Sequence, residues 1–287
     1  MPGRNGWSTG SSMTLRGPMR GVSRASQATL RESLDSTLQG RVSATRLGDE
    51  LFSVVMVLDE EHGLRRALAD PAKPGEEKAA ITRQLLHGKV TRSAEDLVAE
   101  AAGAKWASPS EFTDAVEQLA IESYVIAAQN DGTLDDLEDD LFRFARVISG
   151  QPDLRAALAG TAPEPGKQQL VQALLKNKVT KTADDLLTQV ATHPRGRTPQ
   201  DALDVAAQVA ARRRQEFLAT VRVATPLSAQ QSQRLKRALQ TAYGNAVHLN
   251  VVLDPSVIGG MSVQIGDELI DGTAASRLAD VRRRLTS

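Results

Sequence analysis

An internal repeat with an offset of ninety residues constrains the fold of this 287-residue chain more than any other feature. Four apolar positions of one helical pattern recur at this offset: Leu47, Leu51, Val54 and Leu58 match Leu137, Leu141, Phe144 and Ile148. After one deleted residue, the loop Lys89-Val90-Thr91 recurs as Lys178-Val179-Thr180, and the predicted helix cap Ser93/Asp96 recurs as Thr182/Asp185. Helical periodicity would reproduce the apolar positions but not the loop and the cap together. The pattern therefore indicates a duplication into two related helical bundle units, fewer than the three or more repeats of a solenoid.

The composition favours a mainly α protein and excludes several kinds of site. Aromatic residues make up only 3% of the chain, so leucine and alanine must fill small helical cores. There is no cysteine, which excludes disulfides, a thiol nucleophile and cysteine-ligated metal. The formal net charge is zero, whereas a protein that mainly binds nucleic acid needs a basic excess. No apolar run reaches the 18 or so residues that a membrane-spanning helix requires.

Each copy reads as a series of helices separated by glycine and proline breaks. In the first copy, helices are predicted from about Ala25 to Gly40 and at 43–61, 64–69, 76–88 and 93–105. The second copy is preceded by a helix at 110–129. It is followed by a turn at 193–197 and a long helix from Pro199 to about Thr220, which we expect the first copy to lack.

A β-rich stretch at 247–272 stands apart from these helices. Alternating apolar residues predict strands at 247–253 and 261–265, and Gly266-Asp267 predicts a two-residue hairpin turn. Asp271-Gly272 would close a β-meander before a last helix at 274–285. Upstream, Val221 and Val223 begin a strand, and Ser228 with Gln231 forms a capping box for a helix that ends at Tyr243. The C-terminal part is therefore predicted to be a small α+β domain.

These patterns divide the chain into four predicted segments. Residues 1–21 form a basic arm, which is either disordered or the product of a start assigned too early, with Met13 or Met19 as the true first residue. The alternative is an organellar transit peptide, since the segment is rich in arginine and serine and has no acidic residue. Residues 22–107 are the first helical unit, 108–220 the second, and 221–287 the α+β domain.

No residues converge on a catalytic, metal or cofactor site. The four histidines, 62, 87, 193 and 248, lack the i, i+4 spacing that places two ligands on one helix face. An acidic run within 131–140 lacks calcium-loop spacing and reads as a solvated helix start. The arginine triplets 212–214 and 282–284 are candidate contacts for a protein partner. An alternative function is a basic adaptor that binds a membrane surface or RNA through these triplets and the basic arm.

The C-terminal residues carry a resemblance to a known family. Its turn residues are Asp254, Pro255, Gly259, Gly260, Gly266, Asp267, Asp271 and Gly272, set among Leu249, Val251, Leu253, Val257, Ile258, Val263 and Ile270. Upstream, Ala224-x-Pro226-Leu227-Ser228 and Arg195-Gly196-Arg197 match at the expected spacing. Together these motifs resemble the delta subunit of F-type ATP synthases, which is similar to the mitochondrial oligomycin-sensitivity-conferring protein, over about residues 108–287.

The resemblance implies a mechanical function without an active site or cofactor. Such proteins are peripheral-stalk, or stator, subunits on the cytoplasmic face of the cell membrane. They join the N-terminal segments of the alpha subunits to the membrane-anchored b subunit and resist the torque of the rotor. By this analogy the alpha segment binds the helical unit at 110–192, chiefly the helices at 111–127 and 183–191, and the end of b binds the α+β unit at 221–285. The first copy, 22–107, departs from the standard family pattern and looks like a duplication of its helical domain.

Overall fold

The computed structural model describes residues 21–216, 218–243, 247–255, 257, 260–265 and 268–272. In order, its elements are α1 (Val22–Leu38), α2 (Ala44–Glu60), α3 (His62–Ala69), α4 (Gly75–Leu86), α5 (Arg92–Gly103), α6 (Pro109–Asn130), α7 (Leu134–Gly150), α8 (Pro152–Ala159), α9 (Glu164–Leu175), α10 (Lys181–Thr192), α11 (Pro199–Glu216), β1 (Leu218–Val223), α12 (Ala229–Tyr243), β2 (His248–Leu253), β3 (Met261–Ile265) and β4 (Glu268–Asp271). The mainly α fold with a small α+β unit at its C-terminal end is confirmed.

The duplication is visible helix by helix. Helices α2 to α5 have 17, 8, 12 and 12 residues, and α7 to α10 repeat these lengths in the same order. The repeat also includes the long helices, because α6 and α11 both begin at a proline after a hydroxyl cap. Ser108 Oγ accepts from Glu111 N at 3.3 Å, and Thr198 Oγ1 accepts from Asp201 N at 3.1 Å. The expectation that the first copy lacks a counterpart of α11 is therefore wrong.

Helix α6 belongs to both copies. It follows α5 as α11 follows α10, and it precedes α7 as α1 precedes α2. The buried positions of α1 at Ser23, Gln27 and Leu30 recur, ninety residues on, as Thr113, Glu117 and Ala120, which are also buried. The two copies thus overlap on one helix instead of being joined by a linker.

The caps of α5 and α10 lie two residues earlier than the sequence suggested. Thr91 Oγ1 accepts from Ala94 N at 3.4 Å, and Thr180 Oγ1 accepts from Ala183 N at 3.2 Å. Both threonines have extended backbones, as a cap requires, whereas Ser93 is already helical. The predicted cap pairs Ser93/Asp96 and Thr182/Asp185 are therefore wrong, although their repeat is real.

One hydrophobic core runs through both copies, so the first copy packs directly against the second. The core includes Leu34 on α1, Leu51 on α2, Tyr124 on α6 and Leu203 on α11. Helix α2 packs chiefly on α6, and α7 packs chiefly on α11. The predicted boundary at 107/108 divides the sequence, but this core continues across it.

The C-terminal sheet has the order β2-β1-β3-β4, so the predicted meander is wrong. Strand β1 is central, parallel to β2 and antiparallel to β3. A parallel pair needs a crossover, and α12 provides it between β1 and β2. The Ser228/Gln231 capping box of α12 is confirmed by hydrogen bonds of 2.8 and 3.2 Å. Strands β3 and β4 form the predicted hairpin, whose turn at 266–267 lies outside the described residues.

The predicted burial of these strands holds for β3 and fails for the end of β2. Val263 and Ile265 are buried, as their alternation predicts. Leu253 is 57% exposed, because β2 lies at the edge of the sheet with β1 on one side. The predicted last helix at 274–285 and residues 1–20 of the predicted arm lie outside the described residues.

Candidate functional site

The described residues hold little that could perform chemistry. In that part of the chain there is no group of three or more histidine, aspartate or glutamate side chains placed to hold a metal ion. His193 Nε2 lies 2.9 Å from Glu164, and the exposed His87 lies 3.5 Å from Glu95, so both histidines take part in local polar pairs. None of the described helices is both long and apolar enough to cross a membrane.

The family-signature residues lie at turns of the sheet. Asp254 N donates to Val223 O at 2.9 Å, and its carbonyl accepts from Val257 N at 3.1 Å in the turn that contains Pro255. Gly260 has φ of +84°, which glycine adopts without strain. Gly272 N donates to Met261 O at 3.0 Å, and Asp271 pairs with Ser262 at the end of β4. Gly259, Gly266 and Asp267 lie outside the described residues.

The strongest polar feature is an ion cluster between the two copies, centred on Arg195. The arginine side chain is only 5% exposed, and its Nε lies 2.6 Å from Asp59 of α2. Its Nη1 lies 2.6 Å from Glu117 and 3.0 Å from Asp114, both on α6. Arg197 binds the second oxygen of Glu117. The cluster therefore ties the turn after α10 to one helix of the first copy and to the shared helix.

The backbone and the electrostatics of the turn both favour this arrangement. Arg195 and Gly196 have φ of 54° and 73°, and from this left-handed turn the Arg195 side chain reaches Asp114 and Glu117 of α6. Burial alone would lower the pKa of Arg195. The charges of Glu117, Asp59 and Asp114 outweigh that effect and hold the pKa above its ordinary value. The guanidinium therefore remains charged, and its five donors suit a site with several carboxylates.

A second contact between α2 and α6 centres on Tyr124. The tyrosine hydroxyl donates to Asp49, and its ring packs against Phe52 with a centroid separation of 6.1 Å. Gly48 permits this approach, since a Cβ at that position would lie 2.6 Å from Tyr124 Cε2. Burial, followed by the hydrogen bond and charge of Asp49, raises the pKa of Tyr124 well above its ordinary value. These contacts lie within the packing of α2 on α6, the most extensive between any two of the described helices.

Comparison with known proteins gives the family of this chain. The model of the ATP synthase delta (OSCP) subunit family matches residues 122–285. The ATP synthase subunit delta of Streptomyces avermitilis is 45% identical over 269 residues, which cover 93% of this chain and 98% of the relative. Those of Thermobifida fusca and Streptomyces coelicolor are each 44% identical and cover 93% and 94% of this chain, and 99% of each relative. The chain belongs to the ATP synthase delta (OSCP) subunit family.

The first copy is a shared feature of these delta subunits. The family model begins at residue 122, so most of α1 to α6 lies outside it. The relatives nevertheless match this chain over nearly their whole length, and the alignments span more than nine-tenths of it. The first copy therefore belongs to a long form of delta that these relatives have in common.

Burial changes the prediction of where a partner segment binds. Helix α6 contains the predicted docking range 111–127, in which only Glu111, Asp114 and Gln118 are partly exposed. Most of the second range, 183–191 on α10, is also buried. Docking of an alpha segment on these two helices therefore stays a prediction, and it would have to use their half-buried residues, such as Asp114 and Gln118 on α6 and Gln189 on α10. The sequence carried little signal for this burial, because α6 contains Asp114, Glu117, Gln118 and Glu122, polar residues that suggest a solvent-exposed side.

The first arginine triplet is not one binding surface. Arg213 is 2% exposed, lies 2.8 Å from Asp35 of α1, and donates to Gln129 of α6 at 3.0 Å. Arg212 and Arg214 are exposed on either side of it. The triplet at 282–284 lies outside the described residues. Because Arg213 holds helices together, the 212–214 triplet presents only Arg212 and Arg214 to a membrane surface or to RNA.

Proposed function

We propose that this chain is a non-catalytic subunit of the peripheral stalk of an F-type ATP synthase. It links the catalytic head to the membrane-anchored b subunit and resists rotor torque, at the cytoplasmic face of the cell membrane. Membership of the delta (OSCP) family carries this proposal. The structure supports it, because a stator needs a body that transmits force, and a single core with a buried ion cluster joins both copies.

The partners are divided between the two parts of the chain. The N-terminal segments of the alpha subunits bind solvent-exposed helix surfaces of the two helical units, because α6 at the centre of these units is buried. The b subunit binds the α+β unit, whose strands leave Leu253 and Leu269 57% and 61% exposed. These two leucines lie on the edge strands β2 and β4, and an edge strand is open to pairing with a partner chain. Cross-linkers placed at residue 269 of the assembled complex should therefore react with b. Reaction with alpha alone would reverse the assignment.

A reconstitution experiment tests the function as a whole. Membranes depleted of the delta subunit are combined with separated catalytic heads, with and without the purified chain. Addition of the chain should restore ATP-driven proton pumping, because the heads then stay attached and do not turn with the rotor. The chain should not change ATP hydrolysis by detached heads, which serves as the control for a non-catalytic role. Unrestored pumping, with the chain bound to neither heads nor membranes, would refute the proposal.

A further inference from the structure

The first copy contains an apolar cavity that opens to solvent on one side. It lies between α2, α3, α4 and α5 and has a volume of about 250 Å³. Two of its lining residues, Val57 and Leu85, are 48% and 40% exposed and lie at its mouth. Its floor is formed by apolar side chains that are at most 6% exposed, namely Val54, Leu58, Leu68 and Val98. The cavity therefore has a buried apolar floor and an open mouth.

The second copy has larger side chains at two of the corresponding floor positions. Val54 of α2 corresponds to Phe144 of α7. After the one-residue deletion, Val98 of α5 corresponds to Leu187 of α10. Both larger side chains are buried in the hydrophobic core of the second copy. The same order of helices thus accommodates a phenylalanine where the first copy has a valine, so the space in the first copy comes from its own side chains and not from the fold.

The walls of the cavity require no hydrogen bond from a ligand. The Ser53 hydroxyl donates to the backbone carbonyl of Asp49 at 2.9 Å. The Thr82 hydroxyl donates to the backbone carbonyl of Lys78 at 2.8 Å. Among the described residues that line the cavity, only Lys89 is charged, and this lysine is exposed in the loop after α4. The site therefore combines aliphatic walls with one positive charge at the mouth.

We propose that this cavity binds a free medium-chain fatty carboxylate. The acyl chain lies against the aliphatic walls, and the carboxylate pairs with Lys89 at the mouth. An apolar cavity of about 150 Å³ holds one benzene ring, so a cavity of about 250 Å³ has room for a chain of about ten carbon atoms. This inference goes beyond the proposed stator function and does not depend on it.

Other apolar ligands match the site less completely. An uncharged hydrocarbon would fill the space between the walls but would gain nothing from Lys89. A phospholipid would place one of its two acyl chains in the cavity and leave the other in water, at the cost of its exposed apolar surface. A free fatty carboxylate has one chain and one negative charge, and it matches both the walls and the lysine.

A chain-length series tests the inference on the purified full chain. Hexanoate, octanoate and decanoate, each below the concentration at which it forms micelles, are titrated by isothermal titration calorimetry. Each CH₂ group that enters the cavity should tighten binding about fourfold. Decanoate that binds less than about tenfold more tightly than hexanoate, or does not bind, would overturn the inference. Binding to vesicles of anionic phospholipid without binding of free decanoate would also overturn it.

Substitutions that copy the second unit locate the bound chain. Val54→Phe introduces the side chain that the second copy has as Phe144, and it should weaken decanoate binding at least about tenfold because it fills the cavity. Where Val54→Phe lowers the melting temperature, the smaller change Val98→Leu, which copies Leu187, replaces it. A variant that melts as wild type does and binds decanoate as tightly as wild type would overturn the inference.

The two equivalent lysines test the carboxylate end. Lys89→Gln should weaken decanoate binding about threefold and leave the binding of decanol unchanged, since an exposed ion pair contributes modestly. Lys178 holds the corresponding position in the second copy and provides the matched control. Lys178→Gln should bind decanoate as wild type does. Equal losses in the two variants, or no loss in Lys89→Gln, would show that the carboxylate does not pair with Lys89 and would overturn the inference.

Discussion

Replacement of Arg195 by glutamine tests whether the ion cluster holds the two copies together. The variant keeps an unbranched polar side chain in the same left-handed backbone, so it removes the charge with little change in backbone strain. Asp59, Asp114 and Glu117 are then left near one another, with Asp59 still paired with Arg65 at 3.3 Å and Glu117 still paired with Arg197. The expected result is a large loss of stability for the whole helical body.

The magnitude follows from burial. Removal of one partner from a buried ion pair costs about 3–5 kcal/mol. The Glu117 side chain is 5% exposed and is as buried as that figure assumes, but Asp59 and Asp114 are 28% and 21% exposed and regain some hydration. We therefore expect Arg195→Gln to lower the free energy of unfolding by about 2–4 kcal/mol.

Urea denaturation at pH 7 is the suitable assay, because guanidinium salts would screen the charges. Asp59→Asn alone should cost less than Arg195→Gln, since Arg195 retains two carboxylates. The double variant should show a coupling free energy of about 1–2 kcal/mol between the two positions. Additive single effects, or a loss below about 1 kcal/mol for Arg195→Gln, would mean that the cluster does not couple the copies.

Three further changes test local features of the fold. Gly75→Ala should destabilise the chain by about 1–3 kcal/mol, because its Cβ would collide with the Gly103 carbonyl where α4 meets α5. At high pH the phenol of Tyr124 should stay protonated until the chain unfolds, which absorbance at 295 nm would detect. Asp204→Asn should raise the melting temperature at pH 7, since burial, and then the charge of Asp201, raise the pKa of Asp204 and make its ionised form unfavourable in the folded state.

Each of these has its own control. Gly63→Ala on α3 meets no atom within 4 Å and should stabilise slightly, so a loss there equal to that of Gly75→Ala would remove the clash explanation. Tyr124→Phe should abolish the late-titrating absorbance. The advantage of Asp204→Asn should shrink as the pH falls toward 3.8, the ordinary aspartate value, because the carboxyl then protonates in both states. An advantage that stays constant with pH would have a cause other than charge.

Periodicity was enough to predict the helices, and for a physical reason. The core positions of α2 and α7 recur at helical spacing and lie on one side of each helix, so local sequence carries the information. The caps at Thr91 and Thr180 were missed because Ser93 and Thr182 offered equally good capping chemistry two residues later. Only the backbone conformation distinguishes the two positions.

The contacts that join the elements left no comparable signal. Asp59 and Arg195 are 136 positions apart, and no local pattern around either residue indicates that the two are in contact. The sheet was mispredicted for a similar reason, because β1 lies far from β2 and β3 in sequence yet pairs with both. The ninety-residue match of Ser108-Pro109 with Thr198-Pro199 was available, and it would have identified α6 and α11 as counterparts.

The shared helix α6 explains how a longer delta subunit remains suitable as a stator. Two complete copies in tandem would need a linker, and relative motion at a linker would absorb torque. Here α6 is the last helix of the first copy and the first helix of the second. Helix α2 packs on α6, and the Arg195 cluster links α2 and α6 to the turn after α10. Among the residues that the structure describes, by contrast, the sheet core shares no member with the helical core. The first copy therefore lengthens one rigid body, and any bending of this stator is expected between α11 and the sheet before it occurs within the helices.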